Sequence, residues 1–177
     1  KSHWSDIRLS DDFVVSYRII GDRILHAILQ GHFGKVDIDK VRGLRDQVLK
    51  ESVEPGAKIV EINDLKKITG GTRFPGRKTG IDYFEQDTDR CLGVIAFNAS
   101  RKMRMLIRVA RRIRKAPYPF EIRNDYEHAV KRAVQVIQHY DSQTYFDPKN
   151  FITREEWKYE ADGLFTQCRI LKNKVLY

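Results

Sequence analysis

Two stretches of this 177-residue chain carry residue types that could do chemistry. The first is Gly71-Thr72-Arg73-Phe74-Pro75-Gly76-Arg77-Lys78-Thr79, which approaches a phosphate loop. In that motif, GxxxxGK[ST], backbone amides cradle phosphate while Lys and a hydroxyl reach phosphate and metal. Here Arg77 stands between the second Gly and Lys78, Asp64 to Gly70 separate the loop from the preceding strand, and Pro75 stiffens it. The stretch is therefore read as a basic loop rather than a nucleotide-hydrolysing site. The second is Asn98-Ala99-Ser100-Arg101, a turn that delivers a helix N-terminus directly after a buried strand. Free amides there favour an anion. Arg73, Lys78, Asn98, Ser100 and Arg101 are accordingly the candidate anion- or ligand-binding residues.

Other chemistries lack their residues. His26 and His32 are six apart, and His128 and His139 are eleven apart on one helix, so neither pair has metal-ligand spacing. There is no GxSxG elbow, neither Cys91 nor Cys168 has an evident His partner, and the carboxylates are scattered. The expectation is a non-enzyme with no cofactor and no metal. Two isolated cysteines in apolar contexts suit buried thiols in a reducing cytoplasm. No apolar run approaches the roughly 20 residues of a membrane span, the opening residues lack a signal-peptide h-region, and Lys at position 1 suggests a piece of a longer protein.

Net charge is +9, and eight of the fifteen residues from Arg101 to Lys115 are Arg or Lys. Such a cluster attracts phosphates, acidic lipids or acidic protein faces. Arg104, Arg108, Arg111 and Arg112 surround an apolar stripe of Met103, Leu106, Ile107, Ala110 and Ile113. A nucleic-acid- or anionic-surface-binding role for this helix is the alternative reading, against a plain solvated face balanced by Asp125 or Glu127.

The elements that must hold these residues follow from periodicity. Phe13 to Gly34 reads as a hairpin turning at Gly21-Asp22. Ile38, Val41, Leu44, Val48 and Leu49 recur at helical spacing after a cap at Asp37 or Asp39, and Pro55-Gly56 stops that helix. Lys58 to Asn63 is a short strand, Asp64 to Gly80 a turn-rich loop, and a short helix is expected from about Pro75 to Gln86. Cys91 to Phe97 is a buried strand, Ser100 caps the basic helix, Phe120 to Arg123 is a strand, and a last helix runs to Tyr140. The order β-β-α-β-α-β-α-β-α implies a mixed, mostly parallel α/β sheet. The expected division is an N-terminal extension over 1–12, an α/β domain over 13–141, and a linker with a C-terminal helix over 142–177. In that tail Trp157, Ala161, Leu164, Cys168, Leu171 and Val175 alternate at spacings of four and three, an a/d heptad seam. It would either pair two chains as a coiled-coil homodimer or fold back on the domain.

Three stretches carry a family likeness: Tyr17 to Leu25, the IVEINDL string from Ile59 to Leu65, and Cys91 to Ser100 with the basic helix and Pro119 to Tyr126. Together they resemble the STAS domain, the fold of bacterial anti-anti-sigma factors. The likeness is closest to STAS-like segments ahead of sensor histidine kinases. It implies a regulatory module of a bacterial two-component signalling protein, binding a small ligand or a protein partner and passing its state through the C-terminal helix to a downstream domain. The family's phosphorylated serine turn is replaced here by Lys66 to Arg73, which holds no serine. Thr69 and Thr72 are the hydroxyls present as phospho-acceptors, so the resemblance implies ligand or partner sensing ahead of a phosphoswitch.

Overall fold

The computed structural model describes residues 4–32, 35–70, 90–113, 118–145, 153–161, 164–171 and 174–176. It divides into two compact units, 1–137 and 138–177.

The first unit holds a six-stranded sheet whose spatial order is β1-β2-β3-β4-β5-β6, the order of the chain itself. The strands are β1 (Ile7–Ser10), β2 (Phe13–Ile20), β3 (Ile24–His32), β4 (Ile59–Gly70), β5 (Cys91–Phe97) and β6 (Phe120–Ile122). The helices are α1 (Lys35–Ser52), α2 (Arg101–Ile113) and α3 (Tyr126–Tyr145). β1, β2 and β3 are antiparallel, and β3 through β6 run parallel. Residues 1–12, expected as an extension, thus contribute an edge strand to the sheet.

Alternation along the central strands explains how two helices cover this sheet. Leu25, Ala27 and Leu29 of β3 and Ile59 of β4 pack with Phe13, Val15 and Tyr17 against Val41, Val48 and Leu49 of α1. Their neighbours in sequence, Ile24, Val60 and Ile62, pack with Ile95 and Phe97 against Ala129 and Ala133 of α3. The small alanines let α3 approach closely, and both are fully buried.

The α1 face also buries a charge pair. Arg45 Nε donates to Glu61 Oε2 at 2.7 Å, and Asn63 Nδ2 donates to Glu61 Oε1 at 3.0 Å. The two charged side chains are only 3% and 7% exposed. A buried pair survives when its remaining lone pairs are satisfied, which Asn63 does here. Beside it Tyr17 donates its hydroxyl to the Val41 carbonyl at 3.4 Å. Burial, and then the Glu61 charge, push the Tyr17 phenol far above its usual range.

One glycine is dictated by close approach. Gly31 has φ +97°, and a Cβ there would sit 1.8 Å from the Asp12 carbonyl oxygen. That oxygen already accepts the His32 amide at 2.9 Å.

Two expectations are corrected. β4 does not stop at Asn63 but runs to Gly70, so the first part of the expected turn-rich loop is strand. The heptad tail is not helical: β7 (Thr153–Ala161), β8 (Leu164–Leu171) and β9 (Lys174–Leu176) form an antiparallel sheet of their own. The physical reason lies in the same residues. Trp157 stands opposite Cys168, and Ala161 opposite Leu164, so four of the seam's six residues are cross-strand neighbours. Asp162-Gly163 between them is a strong two-residue hairpin signal in sequence. Thr, Tyr, Trp and Ile also favour strands over helix. The coiled-coil basis for a homodimer falls with it.

Candidate functional site

Ligands of mostly parallel sheets bind at the carboxyl ends of the strands, and here side chains tie the ends of β5 and β6 to the middle of β4, which runs on past them. Asp64, on β4, accepts at Oδ1 from Asn98 Nδ2 at 3.1 Å and from the Lys66 amide at 2.9 Å. Asn98, the first residue past β5, takes a left-handed φ of 54°. Asn tolerates that conformation better than most residues do. Arg104 then links the next loop: Nε donates to the Ala99 carbonyl at 3.0 Å and Nη1 to Asn124 Oδ1 at 3.2 Å. Asp64, Asn98, Arg104 and Asn124 therefore join the ends of β5 and β6 to β4 at the level where β5 stops.

Each helix that leaves this end is capped. Ser100 Oγ accepts the Met103 amide at 3.2 Å, as expected for an N-cap. Asp125 Oδ1 accepts the His128 amide at 3.0 Å and faces His128 Nδ1 at 2.8 Å. The bond from the His128 amide, together with the one from its ring, holds the Asp125 carboxyl below its usual range. Asp125 thus serves α3, its own helix, rather than balancing α2. Farther along, Glu121 of β6 pairs with both Arg123 and Arg132, the latter from Nη2 at 2.8 Å.

Beneath the loops lies a ring cluster that the sequence did not announce. The His26 ring centre is 5.7 Å from that of Phe97 and 5.2 Å from that of Tyr126, and Phe97 and Tyr126 are 5.9 Å apart. His26 is 5% exposed, and neither ring nitrogen has a hydrogen-bond partner. Burial, assisted by Arg18 on the neighbouring strand and opposed by Asp64, lowers its pKa to about 4. It is a neutral ring at neutral pH. The cluster connects β3, the end of β5 and the first residue of α3.

The structure places the expected site residues unevenly. Asn98, Ser100 and Arg101 are together at the end of β5, and Thr69 is exposed on β4. Arg73, Lys78 and Thr72 lie outside the described residues, as does the helix expected from Pro75 to Gln86. Of the basic set, Arg108 is exposed, whereas Arg104 is half-buried and bonded to the loops. Arg111 and Arg112 belong to α2, but their side chains lie outside the described ones. Met103 and Ile107 of the expected apolar stripe are half-buried, while Met105 and Val109, off that stripe, are 58% and 48% exposed. Asp64 and Asn124 were missed because a single Asp within a strand, or a single Asn shortly after one, has no distinguishing signal. The exposure of Met105 and Val109 was legible in principle, since neither falls on the stripe.

Among solved structures, the chain is similar to an uncharacterized DUF3478-family protein with a SpoIIAA-like fold from Shewanella loihica PV-4. The two share 15% identity over 69% of this chain and 94% of that one, with a TM-score of 0.52. It is also similar to an anti-sigma factor antagonist from Mycobacterium paratuberculosis, at 12% identity over 72% of this chain and 99% of that one, TM-score 0.47. SpoIIAA, an anti-sigma factor antagonist in its unphosphorylated form, gives 11% identity over 68% and 96%, TM-score 0.46. No protein-family model and no curated protein matches the sequence.

Proposed function

On the STAS-like, SpoIIAA-like fold of this chain, we propose a regulatory, non-enzymatic module that binds a protein partner or small anion at its strand-end loops. The observation that carries this reading is the chain of bonds Asp64–Asn98 and Arg104–Asn124, which links β4 with the ends of β5 and β6. A partner that engages one loop must act on all three, because each shares a hydrogen bond with its neighbour. The state then reaches α3 by two routes, the loop at Asn124 and the ring contact between Phe97 and Tyr126. α3 in turn runs past residue 137 into the second unit. In this proposal α3 takes the relaying part that the sequence assigned to a C-terminal helix, in a cytoplasmic bacterial signalling protein.

The test compares the wild-type chain with Ser100→Asp combined with Arg101→Glu. A protein or anion held by the wild type and released by the double variant is the expected result. Equal retention by both ends the site assignment, and turnover of any offered nucleotide or ester ends the non-enzymatic reading.

A further inference from the structure

Helix α2 combines two properties that neither the fold nor the strand-end site requires. Its sequence, RKMRMLIRVARRI, contains no acidic residue, and it exposes Met105 and Val109 more than any other large apolar side chains described. Positions 101, 105, 108 and 109 fall on about a third of the helix circumference, with 102 at its border. Arg101, Lys102, Met105, Arg108 and Val109 are all exposed along this side. Among the described residues, Arg101, Lys102 and Arg108 have no ion-pair partner.

We infer that this face of α2 seats the domain on a bilayer carrying anionic headgroups, with Met105 and Val109 below the headgroup level and Arg101, Lys102 and Arg108 among the headgroup charges. A cationic helix with an apolar edge lies in the plane of such an interface. Long Lys and Arg stems let the charged ends stay wet while their methylenes sink. Charge complementarity alone would serve a nucleic acid equally, but phosphate contacts make no use of an exposed Met and Val at i and i+4, and the helix carries no aromatic to stack on bases. Two apolar residues give shallow, reversible seating, which differs from crossing: no helix among the described residues is long and apolar enough to span a membrane. The surface shares Arg101 with the partner site and adjoins Arg104, while Lys102, Met105, Arg108 and Val109, the residues varied below, take no part in that assignment.

The experiment is co-flotation of the full chain with vesicles of equal parts phosphatidylserine and phosphatidylcholine, and with phosphatidylcholine alone. Binding to the first and not the second is expected. Lys102→Gln with Arg108→Gln should lower the partition roughly 25-fold, about fivefold for each cation removed. Met105→Ser with Val109→Ser should lower it at least ~10-fold. Both variants should keep the wild-type melting temperature, because all four side chains are exposed. Absence of flotation with the anionic vesicles, or equal flotation with both kinds, overturns the inference. So does a Met105→Ser, Val109→Ser variant that floats like the wild type. Tight filter binding of duplex DNA that survives this pair, with no vesicle binding, assigns the face to nucleic acid instead.

Discussion

Helices α1 and α2 both carry arginine, two residues in the first and five in the second, yet they use it in opposite ways. On α1, Arg45 is 2% exposed and sits against Glu61, which Asn63 also holds. On α2, Arg101, Lys102 and Arg108 face solvent beside two exposed apolar residues. Composition cannot separate these cases, because a buried charge and a surface charge count alike in a sum of +9. What separates them is a carboxylate on the facing strand. Glu61 lies on β4 beneath α1, and that buried acid, closer than the exposed Asp46 at 3.4 Å, turns an arginine into part of the core. The lesson is that the cations available for binding are those the core does not consume.

The contrast can be broken most directly at Glu61. Glu61→Ala removes the buried carboxylate 2.7 Å from Arg45 and leaves it the exposed Asp46 at 3.4 Å, and should cost about 3 kcal/mol in urea unfolding. A loss under about 1 kcal/mol would mean that water or another acceptor reaches Arg45 without Glu61.

Acid attacks the second buried polar group next. His26 has a folded-state pKa of about 4 against an ordinary 6.5, so the unfolded chain takes up a proton first. Stability is therefore complete above about pH 6.5 and is lost as the pH falls toward 4, by ~3 kcal/mol. His26→Phe, which keeps an aromatic ring between Phe97 and Tyr126, should flatten that slope in unfolding measured across the same pH range. An unchanged slope would assign acid sensitivity to the carboxylates.

Ser100→Ala removes the acceptor for the Met103 amide and should cost about 1 kcal/mol, read from the unfolding midpoint. The smallest effect belongs to the surface cations. Arg108→Gln should change stability by less than about 0.5 kcal/mol, against several for Glu61→Ala. If Arg108 matched the buried pair, the two helices would not differ as described.

Regular elements were legible in the sequence wherever pattern was dense. The run of apolar residues from Cys91 to Phe97, the helical spacing from Val41 to Leu49, and the β-rich hairpin around Gly21-Asp22 all became the expected elements. The last helix was found with its alanine face, and it extends to Tyr145 instead of Tyr140. The failures have separate causes. Ile7–Ser10 is only four residues long, too short for alternation to register. The extension of β4 through Lys66-Lys67-Ile68-Thr69 is held by its parallel neighbour β3, with Gln30 opposite Lys67 and Gly31 opposite Ile68. No local preference announces such pairing. In the tail, spacings of three and four matched a heptad by coincidence with cross-strand pairs, and the Asp-Gly dipeptide should have outweighed them. For the site, the Asn98-Ser100 turn was visible because it follows an unmistakable strand. The coupling through Asp64, Arg104 and Asn124, and the His26 cluster, depend on which residues meet across strands far apart in sequence.

The sheet order, β1 through β6 in chain sequence, has a consequence for how the molecule is made. Every strand after the first is laid beside the one synthesised just before it, so no vacant slot must be held open for a segment still to come. Loop-closure cost grows only slowly with the length of each connection; the β1–β2–β3 pairings are local and fast, whereas the parallel pairings from β3 to β6 are long-range and slower. A ribosome releasing this chain from its N-terminus can build the sheet one edge at a time, each new strand meeting a template already in place.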